Sequence, residues 1–542
     1  ALGDLFALGL AAGLGGLFGV FIDVDDKAST EYIAIVQQGG LGLPDRDYYT
    51  RTDEKSVAIQ TAYKGHVARM LGLLGIPEAQ SKADADTIYA LEERLAKAHM
   101  TLVEQRDPQK VYNKMTQEEL AAKAPGFPWG RYFQAVGIPA AQAINVRQPG
   151  YLTELGKVLG EIPMTTWKTY LRWTLVHDSS SYLPARFVDE SFAFYGTTLT
   201  GAEKLRARWK RVLAQTDGAL GEALGQLYVE KAFPPAAKKR MLALIEDLKA
   251  ALSERIDAVD WMGAETKAKG KKKIDTLLVK VGYPDTWRSY DGLVTNRGTY
   301  LANARAATVF EFQRNLRKLG KRVDRNEWFM SPPTVNAYYN PTTNEITFPA
   351  GILQPPFFFM TGDDAVNYGA IGMVIGHELT HGYDDQGRQY DEKGNLTDWW
   401  TPEDAKNYES RSALMVKQYS EYEPLAGLKV NGELTLGENI ADLGGLKIAF
   451  SALRRAEARS GKKPKKIDGL TNAQRFFLGY AQSWRQNIRQ ADLRRRIATD
   501  PHSPARYRVN GPLGNLAEFQ EAFGCKAGDA MVRPTETRPQ IW

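Results

Sequence analysis

Two histidines four residues apart with a glutamate between them, His377, Glu378 and His381 in GHELTHGYDD, constrain this chain more than any other feature. The run around them, AIGMVIGHELTHG, reads as a buried helix, and on a helix residues i and i+4 share a face. Both imidazoles then reach one metal ion while Glu378, one position round, borders the same space, which is a zinc hydrolase site in outline. With only 6 histidines in 542 residues, chance would produce H-E-x-x-H in about 0.4% of such chains. The blander alternative is a pair of core histidines satisfied by hydrogen bonds.

A catalytic zinc needs a third protein ligand and a position open to water. LGENIADLGGLKIAF (436–450) supplies Glu438 and Asp442 at i, i+4 on a second predicted helix. Glu438 as ligand and Asp442 as acceptor for a histidine N–H would complete a His₂Glu site. The alternative is an exposed acidic pair on a solvated helix face. Zinc lowers the pKa of water from ~15.7 towards ~7, so Glu378 could take a proton at neutral pH and return it to a leaving amine. The oxyanion formed needs a further donor. His502, in TDPHSPARYRVNG, is the remaining histidine of the C-terminal half, and Arg508 follows six residues later.

The rest of the chain is legible as a folded, largely helical protein. Hydrophobic content of 43%, charged content of 25% and 11 tryptophans exclude a disordered chain, and the length suggests roughly three or four units of ~150 residues. A net charge of +6 is mild over this length and implies neither general nucleic-acid nor membrane affinity. The first 22 residues are apolar and Gly/Leu-rich, but Asp4 inside them and the absence of a basic start favour folded structure over a signal or membrane segment. No other stretch approaches 18 apolar residues, so stable membrane insertion is not expected. Cys525 is the one cysteine, which excludes a disulfide framework and a cysteine-ligated zinc within this chain.

Residues 31–38 read as a strand or short helix, and GGLGLPDRDYY (39–49) as turns. Amphipathic helical spacing runs from 55 to about 124, stops at PGFPWG (125–130), and resumes from about 151 to 259 with a break at 233–235. The lysine runs KAKGKKK (267–273) and KKPKK (462–466) lack interleaved aromatics and read as solvated faces. His66, His99 and His177 are isolated and receive no role. In the turn-rich segment 329–358, VNAYYN and EITFPA read as two strands joined by NPTTN. An edge strand beside a metal helix can hold a substrate backbone by strand addition, which makes Asn336 and Ala337 candidates for that contact.

Taken together, HELTHGYDD, GENIADLGG, VNAYY and DPHSPARYRVNGP, in this order and spacing, resemble the neprilysin family of zinc metalloendopeptidases. GGLGLPDRDYY and EFQEAFGCKAGDAM extend the likeness over most of the chain. The resemblance implies one zinc ion bound by His377, His381 and Glu438, with Glu378 as base and Asp442 orienting His377. It implies that Asn336 and Ala337 bind the substrate main chain, that His502 stabilises the transition state and that Arg508 hydrogen-bonds the substrate backbone. Ile352, Phe357, Met373, Val374 and Trp484 match the pocket that takes a large apolar side chain just after the scissile bond. The implied fold is mainly α with some β. Two largely helical domains, 1–283 and 284–542, enclose a central chamber, and the second is a thermolysin-like catalytic half with a small β element beside the zinc helix. The implied substrates are oligopeptides.

Family members usually carry a further cysteine-rich segment at the start, and Cys525 matches a cysteine that pairs with it. An N-terminal segment missing from this sequence is therefore expected. The scarcity of other cysteines favours a bacterial homologue, and the resemblance to exported bacterial members implies the periplasm or cell surface rather than the cytoplasm. Two other specificities stay open: a broad or carboxydipeptidase-like peptidase, with Arg508 and Arg494 to Arg496 holding a terminal carboxylate, or a silent peptide-binding protein.

Overall fold

Alternating apolar residues in FGVFIDVD and ASTEYIAIVQQ fold into a hairpin. Strand β1 (Phe18–Asp25) pairs antiparallel with β2 (Ala28–Gln38), Phe18 opposite Gln38 and Val24 opposite Tyr32. Asp25 accepts from the Lys27 amide to close the turn. The computed structural model describes residues 2–11, 13–461 and 465–542, and contacts divide these into two units. The first comprises 1–215, 289–323 and 489–499; the second 216–288, 324–488 and 500–542.

In the first unit a short β3 (Lys114–Met115) and β4 (Ile144–Val146) extend the hairpin into a sheet of order β1-β2-β4-β3, with β4 parallel to β2. Helix α1 (Leu2–Ala11) occupies much of the apolar N-terminal stretch. The long helices α2 (Glu54–Leu73) and α3 (Glu78–Ala98) follow, α2 opened by Asp53 accepting from the Ser56 amide. Helix α4 (Met164–Ser179) packs against both. Glu92 of α3 is buried between them, accepting from Tyr49 Oη and Tyr63 Oη at 2.7 Å each and from Trp173 Nε1 at 3.2 Å. Tyr49 Oη also accepts from the Gly42 and Leu43 amides, which fastens the GGLGLPDRDYY turn to the same carboxyl. Burial pushes the Glu92 carboxyl up to about 7. His66 lies against Glu190 at 2.9 Å and His99 against the Gly39 carbonyl at 3.0 Å, while His177 packs at a tilt between Trp173 and Tyr195.

The second unit holds a three-stranded sheet of order β5-β7-β6, with β5 at Leu278–Gly282, β6 at Tyr338–Asn340 and β7 at Glu345–Pro349. β6 and β7 form the hairpin that the NPTTN turn predicts, with Tyr338 opposite Thr347, and β6 lies at the edge of the sheet. Its main helices include α5 (Pro235–Ala258), α6 (Ala264–Asp275), α7 (Met373–His381), α8 (Pro402–Ser420), α9 (Leu436–Ser460), α10 (Asn472–Ser483) and α11 (Ala505–Gly514). The contacts do not divide at a single cut near Tyr283. β5 precedes that point yet pairs in parallel with β7, α5 packs on α9, and the segments 289–323 and 489–499 belong to the first unit.

Helix α7 is buried on nearly every side, and a π-helical turn at Tyr368–Gly372 leads into it. It meets α9 at backbone distance. A Cβ on Gly376 would lie 2.5 Å from the Gly445 carbonyl oxygen, and one on Gly445 would collide with the His377 amide. The two glycines let the helices touch where any side chain would separate them.

The solvated-face expectation holds for part of 267–273 and fails at its last residue. Lys269 pairs with Glu265 and Lys272 with Glu392 at the surface, whereas Lys273 is buried. The buried stripe of α6 is Thr266, Gly270, Lys273 and Ile274, so hydrophobic spacing is nearly silent there. Of the second run, Lys465 and Lys466 are exposed, and 462–464 lie outside the described residues.

Candidate metal centre

Helices α7 and α9 bring three donors together. His377 Nε2 and His381 Nε2 are 3.0 Å apart, Glu438 Oε2 is 3.2 Å from the first and Glu438 Oε1 3.7 Å from the second. In a tetrahedral zinc site neighbouring ligand atoms stand about 3.3 Å apart, a distance these separations straddle. His377 Nδ1 faces Asp442 Oδ1 at 2.9 Å and His381 Nδ1 faces Asp384 Oδ2 at 2.7 Å. A carboxylate at Nδ1 fixes the proton there, so both Nε2 lone pairs point into one space. Two lone pairs that close repel each other unless a cation lies between them. The donor set of two imidazoles and a carboxylate suits zinc better than a hard ion, so these residues fit the metal.

The electrostatics carry the same signature. Burial disfavours charge on His377, yet Asp442 and Glu438 outweigh it and hold the imidazole up at about 10. Glu438 is largely buried and still held well below the usual carboxylate range, chiefly by His381 and His377. The cluster is short of positive charge. Glu378 borders it on α7 and is buried; burial pushes its carboxyl up, while His377, His381 and Arg508 pull the other way.

Asp442 is tied twice. Arg508 of α11 donates to it through Nε at 2.8 Å and Nη2 at 2.7 Å, a bidentate pair, and lies 3.9 Å above the Trp484 ring. The Tyr480 hydroxyl donates to the Arg508 carbonyl, which fixes that turn of α11. His502 reaches the centre from the 500–504 segment: Nε2 stands 3.2 Å from Glu438 Oε2, and Asp500 Oδ1 engages Nδ1 at 2.7 Å. An acidic pair on a solvated face is excluded, since Asp442 is fully buried and Glu438 nearly so. Asn336 is exposed and Ala337 buried just ahead of β6. Ile352, Met373 and Val374 are buried, and Phe357 and Trp484 half-buried, within one apolar cluster. Arg495 and Arg496 are engaged by Asp492 of their own helix.

Three residues escaped the reading of the sequence. Asp384 holds His381, and its signal was the i+3 spacing in HGYD. Asn439 accepts from Ser503 Oγ at 2.8 Å and donates to Thr435, so the asparagine of GENIAD anchors the residue next to His502. Lys273 donates from Nζ to three carbonyls of the loop after α7. Burial pulls its ammonium down to about 7, against the pull of Asp384, Asp391 and Glu392. Nothing in its lysine-rich run distinguishes it. Cys525 is a free, half-buried thiol, and among the described residues no helix is long and apolar enough to cross a membrane.

Two models described as peptidase family M13 match residues 2–284 and 336–538. Human endothelin-converting enzyme 1 is 36% identical over 97% of this chain and 69% of its own length. Drosophila melanogaster neprilysin-3 is 33% identical over 97% of this chain and 69% of its own. The crystal structure of Mycobacterium tuberculosis zinc metalloprotease Zmp1 with an inhibitor superposes with a TM-score of 0.96 at 42% identity, covering 100% of this chain and 83% of that one. PepO from Lactobacillus rhamnosis HN001 gives 0.90 at 27% identity, covering 100% and 85%. The chain belongs to peptidase family M13, the neprilysin family of zinc metalloendopeptidases.

Proposed function

We propose that the protein cuts oligopeptides on the amino side of bulky apolar residues, with one zinc ion per chain held by His377, His381 and Glu438. The observation that carries this reading is the convergence of those three donors beside the buried Glu378. Zinc bound there supplies Lewis acidity: it lowers the pKa of water towards ~7 and polarises the peptide carbonyl. Glu378 takes the proton from the attacking water and delivers it to the departing nitrogen. His502, steadied by Asp500, donates to the developing oxyanion. Asp442 keeps His377 in the tautomer that offers Nε2, and Arg508, braced against Asp442, donates to the substrate backbone. Asn336 and Ala337, at the approach to edge strand β6, take the substrate main chain.

Ile352, Phe357, Met373, Val374 and Trp484 would receive the side chain after the scissile bond. Burying a Phe or Leu side chain is worth roughly 1.5–3 kcal/mol, enough for a preference of one to two orders of magnitude. We place the protein in a bacterium, at the periplasm or cell surface; the likeness to the mycobacterial and lactobacillar structures supports that origin.

A quenched fluorescent peptide with Phe after the scissile bond tests this, using the parent and Glu378→Gln, each assayed for bound zinc. The expected result is a cut before Phe by the parent, and cleavage slowed roughly 10³-fold in a variant that retains zinc. Undiminished cleavage by the variant would remove Glu378 as the base, and cuts without regard to Phe would remove the specificity.

A further inference from the structure

Lys273 is a fully buried lysine whose ammonium has all its protons placed. Its Nζ donates to the carbonyls of Gly382 at 2.8 Å, Gly387 at 2.8 Å and Tyr390 at 2.7 Å, using the three donors an ammonium has. All three carbonyls belong to one loop, 382–390, which starts directly after His381. Within that loop Asp384 Oδ2 meets His381 Nδ1, while Asp384 Oδ1 accepts from the Gln386 and Gly387 amides at 2.9 and 2.7 Å. The loop is folded tightly back on α7, since a Cβ on Gly387 would collide with the His381 carbonyl. Asp384 is thus held by the loop's amides, and the loop's carbonyls are held by Lys273.

The same residue also meets the hairpin of the edge strand. The Lys273 carbonyl accepts from Asn344 Nδ2 at 2.9 Å, and Asn344 accepts from Tyr339 Oη at 3.1 Å. Asn344 takes the left-handed conformation, φ 46°, at the turn between β6 and β7. Tyr339, Tyr383 and Trp399 present their rings to the ammonium at 5.6 to 5.9 Å. Asp404, at the other end of α6, accepts from the Gly263 amide and the Thr266 hydroxyl, so this helix is pinned where it begins as well.

We infer that Lys273 is a positioning residue of the metal centre: by holding loop 382–390 it sets Asp384 against His381 and thereby strengthens zinc binding. The inference rests on the zinc reading of His377, His381 and Glu438. An apolar side chain of the same length would leave the Gly382 carbonyl unpaired and strip the Gly387 and Tyr390 carbonyls of their charged donor, leaving them the Tyr390 amide and the Trp399 indole alone. The loop would then turn towards water and take Asp384 with it. Loss of a partner behind a metal ligand typically weakens binding 10- to 100-fold.

The test is a double-mutant cycle on the full chain, with zinc affinity read by competition with a chelator. Four proteins are compared: the parent, Lys273→Met, Asp384→Asn and the double variant. We expect Lys273→Met to weaken zinc binding by about 10- to 100-fold in the parent and by less than about threefold beside Asp384→Asn, because both changes break one chain of contacts. An equal loss in both backgrounds would mean a merely structural lysine and would overturn the inference, as would affinity within about twofold of the parent. Should Met at 273 prevent folding, Lys273→Gln, which is shorter and uncharged but keeps an amide donor, enters the same cycle; a smaller loss that disappears beside Asp384→Asn is expected, and an equal loss in both backgrounds overturns the inference. His381→Ala separates the two levels: zinc retained undiminished there overturns the metal-site reading itself, whereas zinc lost there with an additive cycle overturns only the role of Lys273.

Discussion

The clusters around His377 and around Glu92 are both buried and both built on carboxyl groups, and they differ in whether they are complete. Glu92 receives three neutral donors, Tyr49, Tyr63 and Trp173, and burial leaves its carboxyl titrating at about 7. It can keep a proton and needs no further charge. Glu438 is a little more open, its side chain 14% exposed, but it faces imidazoles and stays ionised well below the usual carboxylate range. Around it the two Nε2 atoms point at each other across 3.0 Å, with Asp442 and Asp384 behind them. A buried carboxyl ringed by neutral donors holds a fold together, whereas one that converges with lone pairs on a common point is waiting for a cation. Burial alone does not separate the two; the direction of the surrounding protons does.

The sharpest break in that comparison is Glu378→Gln, which removes the base we propose without altering the three converging donors. It should lower kcat/KM by roughly 10³-fold with zinc content unchanged, read by steady-state cleavage and metal analysis. Zinc itself comes next. At a free concentration about 1,000 times Kd it should stabilise the folded parent by about 4 kcal/mol, and Glu438→Ala should lose most of that gain in calorimetry. The Glu92 cluster should ignore zinc and answer to pH instead. Its folded pKa of about 7 lies above the ordinary 4.5, so its contribution is complete in acid and vanishes as pH rises through 7. Relative to Glu92→Gln, the parent's unfolding free energy should fall by about 3 kcal/mol between pH 4 and pH 8 in urea titrations. A flat difference would mean that the carboxyl titrates alike in the folded and unfolded chain. The smallest effect expected is that of Asp384→Asn, a 10- to 100-fold weaker zinc affinity, or about 1.4 to 2.7 kcal/mol.

The five residues at helical spacing, His377, Glu378, His381, Glu438 and Asp442, were legible because i, i+4 geometry needs no tertiary knowledge. The β6–β7 hairpin was legible too, through alternating residues and the NPTTN turn. Asp384 was harder, for it acts from a loop whose path α6 determines. Lys273 was beyond reach: on the buried stripe of α6 it stands with a threonine and a glycine, and periodicity rules look for apolar side chains. The division into units was hidden for a related reason. β5 finds its partner β7 more than sixty residues later, and pairing across such a separation leaves no local trace.

Gly376 and Gly445 carry no donor atom, yet they belong to the ligand set as much as the three residues that do. Their missing side chains are a specification of distance, since they set how near the second helix can bring its glutamate to the two histidines. Anyone transplanting this centre into another scaffold would therefore have to copy two absences along with three donors. The portable unit is a pair of helices in backbone contact, and a motif search restricted to ligands would recover the chemistry without the ruler that spaces it.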